Sequence, residues 1–145
     1  MSARAKRQTF AALALAGALA VIGAATSGCK QEGPRALVLV DAAAHAEGVA
    51  AIAKRYESER HRAVRVIHVA KPEEALRIAM RGDADVALVP HATPHDDLDK
   101  RNDGAVRATI DAGGESLDVI EVNAVAHPTV DAAGARDLAG FIAAR

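Results

Sequence analysis

From Ala36 onward the apolar positions fall into two alternating periods. Ala36-Leu37-Val38-Leu39-Val40 is continuously apolar, the pattern of a strand covered on both faces, and Asp41 sits at its C-terminal end. A loop of small residues, Ala42 to Glu47, leads to Gly48. Then Val49, Ile52, Ala53 and Tyr56 recur at helical spacing, with Lys54, Arg55, Glu57 and Glu59 on the other face. This predicts a helix from about Ala46 to Arg60 and a turn at His61-Arg62. Val64 to Val69 reads as a second strand. Lys71-Pro72-Glu73-Glu74 opens a second helix, because proline suits a first turn and carboxylates suit the positive end of the helix dipole. Ala75, Leu76, Ala79 and Met80 make its apolar face. Gly82 closes it. Asp85 to Val89 is a third strand, with Pro90 as its stop.

The order β-α-β-α-β with short connections predicts right-handed crossovers. The expected fold is therefore α/β: three layers, a mostly parallel sheet of about four to five strands, and helices on both faces. Past Pro90 the pattern weakens. His91 to Gly104 has no apolar periodicity and reads as a polar loop. Ala105 to Ala112 is a candidate strand with Val106 and Ile110 inward, Gly113-Gly114 a turn, and Leu117 to Val122 a further strand. Asp131 is placed to cap a last helix whose inward face is Ala135, Leu138, Ala139 and Ile142.

The N-terminus follows a different rule. Arg4, Lys6 and Arg7 precede an uncharged stretch from Thr9 to Gly28, and polarity returns at Lys30. A basic leader, an apolar run and small residues before a boundary make a secretory signal. The stretch is also long enough to span a bilayer uncleaved. Thr26-Ser27-Gly28-Cys29 resembles the lipobox of bacterial lipoproteins, with Thr26 where an aliphatic residue is usual. The resemblance implies acylation of Cys29 as the first mature residue. The expected organisation is a signal peptide over 1–28, a lipidated tether over 29–35 and one domain over 36–145, in the cell envelope and membrane-anchored.

Composition narrows the chemistry. The chain has one cysteine, which the lipobox uses, so neither disulfides nor cysteine-ligated metals are expected in the domain. Removing the leader leaves 15 basic against 19 acidic residues, a net charge of −4. An acidic domain without a basic stripe predicts no nucleic-acid partner. One tyrosine and two phenylalanines exclude an aromatic cage.

The segment from Leu37 to Val89 resembles the first lobe of bacterial periplasmic solute-binding proteins of the type II fold, in particular the tungstate/molybdate-binding branch. The resemblance rests on three places. One is the strand, small-residue loop, glycine and helix from Leu37 to Tyr56. The second is the helix end and strand Arg81-Gly82-Asp83-Ala84-Asp85-Val86-Ala87-Leu88-Val89. The third is Val122-Asn123-Ala124-Val125-Ala126-His127-Pro128-Thr129-Val130-Asp131, followed by a helix. It implies a solute-binding-like lipoprotein, an ABC-type permease as possible partner, a small solute or oxyanion as possible ligand, and possible homodimerisation. Two departures stand out. Family members carry two lobes, and this chain has room for one. The loop after the first strand carries Asp41, Ala44, His45 and Glu47 and no hydroxyl, while the turn after the second carries Lys71, Glu73 and Glu74 and no glycine. Those carboxylates repel an oxyanion, which needs N–H and O–H donors.

In open parallel sheets ligands bind beyond the carboxyl ends of the strands. The residues expected there are Asp41, Ala44 and His45, then Lys71, then His91 and His95. His45, His91 and His95 are the candidate ligands for a divalent metal. Two further readings stand beside the solute-binding one: a non-catalytic envelope scaffold lipoprotein, and a divalent-metal module. No Gly-x-Ser-x-Gly elbow, His-Glu-x-x-His motif or phosphate loop is present, and Ser58 and Ser116 have no evident base partner, so no enzyme is expected.

Overall fold

A computed structural model describes residues 33–145. Cys29, its leader and most of the tether lie outside the described residues. In chain order the elements are β1 (Leu37–Asp41), α1 (Ala46–Arg60), β2 (Val64–His68), α2 (Pro72–Met80), β3 (Val86–Pro90), α3 (Asp96–Lys100), β4 (Gly104–Ala112), β5 (Glu115–Val122) and α4 (Ala132–Ala143).

The sheet has the order β2-β1-β3-β5-β4. β1 pairs in parallel with β2 and β3, while β5 runs antiparallel between β3 and β4. The fold is α/β with a mixed, mostly parallel five-stranded sheet, as the alternation of periods predicts. The continuous apolar runs belong to the interior strands, β1 and β3. β2 is an edge, and its side chains are at most half-buried.

α1 and α4 lie together on one face. Tyr56 of α1 meets Phe141 of α4 edge to face, with ring centroids 5.3 Å apart. Leu37 of β1 packs so close to Gly134 of α4 that a Cβ there would stand 2.5 Å from Leu37 Cδ2. α2 packs on β1 and β3 from the other side. α1 ends at His61, in the left-handed region at φ 52°. Just past the C-cap of α2 at Arg81, Gly82 turns the chain at φ 74°, with His127 seated directly over it. The Asp131 carboxylate caps α4 by accepting from the Gly134 N–H at 2.9 Å.

Asp85 joins these pieces. Only 1% exposed, its carboxylate accepts from Val38 N–H at 2.8 Å and Asp131 N–H at 2.9 Å, and takes both terminal nitrogens of Arg35. Its own backbone bonds Val38 and Val122. One side chain thus ties the start of β1 and the start of α4 at the amino edge of the sheet. Arg35 is held above its ordinary pKa, chiefly by its hydrogen bond to Asp85.

The second half departs from the sequence-based expectation in three ways. Pro90 is the last residue of β3, opposite Leu117, rather than a stop before the loop. The segment from His91 to Gly104 contains α3, anchored by buried Leu98, and its last residue already belongs to β4. Val106 is 37% exposed, because β4 carries a bulge between Val106 and Ala108 that shifts the register.

Candidate functional site

The carboxyl ends of β1, β2 and β3 gather at one edge of the sheet, together with the tip of the β4–β5 hairpin. Five histidine or aspartate side chains meet there in two groups.

The first group is at the ends of β1 and β2. Asp41 is fully buried, and its Oδ1 accepts from Ala43 N–H at 3.2 Å and from His68 Nδ1–H at 2.8 Å. Asp41 Oδ2 has no partner among the described residues. The loop that follows turns its amides inward. Ala42 N–H donates to Leu88 O at 3.0 Å, Ala43 N–H to Asp41, and Ala44 N–H to Glu115 Oε2 at 2.8 Å. Glu115 arrives from the hairpin tip, where Gly113 and Gly114 take positive φ to make the turn. His45 is exposed and stands against Gly113, and its backbone oxygen accepts from Gly48 N–H. Lys71 is exposed ahead of α2, where its carbonyl accepts from Glu74 and Ala75. His45 and Lys71 therefore join neither group.

The second group is at the end of β3. The Asp118 side chain, on β5, is 1% exposed. Its Oδ1 accepts from Thr109 Oγ1–H at 2.7 Å and His91 Nδ1–H at 2.8 Å. Its Oδ2 has no hydrogen bond among the described residues, though His95 Nδ1 is 3.9 Å away. His95 Nδ1–H donates instead to Thr93 O at 2.9 Å. The His91 side chain is 64% exposed, so its far nitrogen faces water while the near one is held. Asp41 pairs with Leu88, Leu88 with Val119, and Asp118 adjoins Val119. The two aspartates therefore face opposite sides of the sheet.

The structure brings His91 and His95 together around Asp118, and leaves His45 outside. Among the described residues no group of three or more His, Cys, Asp or Glu side chains is disposed to hold a metal. The triad His45, His91 and His95 is thus not assembled. The reason is topological: His45 follows β1 and packs on the hairpin tip, while the other two follow β3 and point at β5.

Two features escaped the sequence reading. His68 and His127 each pair at 2.8 Å with a buried aspartate, Asp41 and Asp103. Ser116 also gains a neighbour: its carbonyl accepts from His91 N–H at 2.9 Å, so the two residues stand opposite each other across the strands. Ser116, His91 and Asp118 share a face, but the Ser116 hydroxyl makes no hydrogen bond among the described residues. A base oriented by a carboxylate is present, and an engaged nucleophile is not. Both signals depend on strand pairing over more than 20 residues, which no local pattern encodes.

Two surface hollows, about 390 and 270 Å³, lie elsewhere, beside α4, and share Arg107, Glu121 and Arg136. Arg107 Nε is bonded to Glu121 at 2.7 Å. Set against protein-family models, curated proteins and solved structures, the chain finds no match.

Proposed function

We propose that the chain is an extracytoplasmic lipoprotein, anchored through Cys29, whose domain retains the form of one solute-binding lobe. It serves as a non-catalytic contact module in the envelope, and its solute-binding edge is degenerate. One observation carries this reading: the amides after β1 are already satisfied internally. Leu88 O, the Asp41 carboxylate and the Glu115 carboxylate take the Ala42, Ala43 and Ala44 N–H groups. An oxyanion needs such donors free, and would meet two carboxylates in their place.

Calorimetry of the domain against molybdate, tungstate and phosphate tests it, with no binding heat expected. Saturable heat with any of the three overturns the degenerate edge and restores solute capture, with an ABC permease as partner. Globomycin treatment of expressing cells should leave an unprocessed precursor. An unlipidated Cys29 rules out the anchor.

A further inference from the structure

We propose that His91 and His95 form a two-imidazole site for a divalent transition-metal ion, with Asp118 and the Thr93 carbonyl as the acceptors behind them. The argument starts from the protons. Thr93 O is a carbonyl and only accepts, so His95 Nδ1, at 2.9 Å, carries the hydrogen. An ionised carboxylate likewise only accepts, so His91 Nδ1, 2.8 Å from Asp118 Oδ1, carries its hydrogen too. In the neutral form of each ring the Nε2 lone pair is therefore the one left available. Metal-binding imidazoles are prepared in this way, with one nitrogen donating to a carboxylate or backbone carbonyl to fix the tautomer and strengthen the other as a ligand.

The carboxylate behind the two rings adds negative charge to this end of the sheet. Asp118 is 1% exposed, and among the described residues its Oδ2 has no hydrogen-bond partner, as is also true of Asp41 Oδ2 and Asp103 Oδ2. A buried carboxylate so incompletely satisfied is costly unless positive charge lies near it. The other carboxylate–histidine pairs differ in one respect. His68 and His127 each stand alone on their own aspartate, whereas His91 and His95 both approach Asp118, at 2.8 and 3.9 Å. Imidazole nitrogen suits zinc, copper or nickel. Two protein ligands, with water filling the remaining positions, make an exchangeable site rather than a structural one.

The test is zinc and copper titration of the full-length chain in detergent, followed by calorimetry and by long-range proton–nitrogen spectra of the histidine rings. One ion per chain is expected, with the Nε2 signals of His91 and His95 shifting together. His91→Ala and His95→Ala should each weaken binding at least tenfold. Asp118→Asn should weaken it about tenfold, as loss of an outer carboxylate does. His45→Ala and His68→Ala should leave it unchanged. Far-UV circular dichroism checks that each variant is folded. The two histidine variants suffice should Asp118→Asn not fold. Failure to bind either metal below millimolar concentration overturns the proposal. So does a loss confined to one of the two histidines, which would indicate a single exposed imidazole, or a loss on replacing His45.

Discussion

Replacing Asp85 should cost more than any other single polar change at the amino edge of the sheet, and the cost should come from two amides rather than from the ion pair. Asp85→Ala strands the N–H groups of Val38 and Asp131, bonded at 2.8 and 2.9 Å. A buried donor left without an acceptor costs about 1–3 kcal/mol. Both bonds are only partly buried, so the lower half of that range applies, about 1.5 kcal/mol each and about 3 kcal/mol together. The ion pair is screened from its Arg35 side, which is 44% exposed, so although Asp85 is buried the pair adds about 1 kcal/mol, the upper end for exposed pairs. Arg35→Ala should therefore cost about 1 kcal/mol, including its bond to Thr129 O. Asp85→Asn keeps one acceptor and turns an amide toward the other donor, and should fall between the two. Urea unfolding followed by far-UV circular dichroism gives all three values. The reasoning fails if Asp85→Ala costs under 1 kcal/mol, or if Arg35→Ala costs as much as Asp85→Ala.

Other predictions use the same unfolding assay. Gly82→Ala puts a Cβ at φ 74° and 2.7 Å from His127 Cβ, and should cost about 2 kcal/mol or more, whereas Gly48→Ala, in open space within α1, should stabilise by about 0.5–1 kcal/mol. The Tyr56 hydroxyl is pushed up to about 12 by burial first and then by its hydrogen bond to Asp137. Its folded pKa lies above its unfolded value near 10, so its contribution is intact below pH 10 and lost as pH rises to 12. Two units correspond to about 2.7 kcal/mol, and the half-exposed Asp137 reduces this to about 2 kcal/mol. Tyr56→Phe should remove that alkaline loss, and an unchanged pH profile would refute the assignment. Asp131 is held below the usual carboxylate range, first by Gly134 N–H and then by Arg62. Its contribution is present above its unfolded pKa and fades as pH falls through the lower folded value, so Asp131→Ala should cost about 1 kcal/mol at neutral pH and less in acid.

The elements legible in the sequence are those whose periodicity spans enough residues to separate 3.6 from 2. α1 shows four buried positions at helical spacing and lies where the pattern puts it, Ala46–Arg60. α3 was hidden because five residues with one apolar side chain, Leu98, carry no period. The bulge at Arg107 was hidden because a register shift appears only in the partner strand. The site divides along the same line. That Asp41, His91 and His95 lie past strand ends follows from chain order alone. Which of them touch does not, because insertion of β5 between β3 and β4 places Asp118 under His91, and this pairing joins residues 27 positions apart. His45 was grouped with the wrong loop because sequence distance says nothing about which end of the hairpin folds back.

The way β1 is held has a mechanical consequence. It is the first element after the tether and lies inside the sheet, paired on both sides by parallel neighbours. Arg35, just before it, is bonded to Asp85 and to Thr129 O, while Arg62 holds the Arg35 carbonyl. Tension on the proposed lipid anchor at Cys29 would load β1 in shear against two ladders at once, rather than peel an edge strand one bond at a time. A pull on the proposed anchor would meet the Asp85 clamp before it reached the histidine-bearing edge.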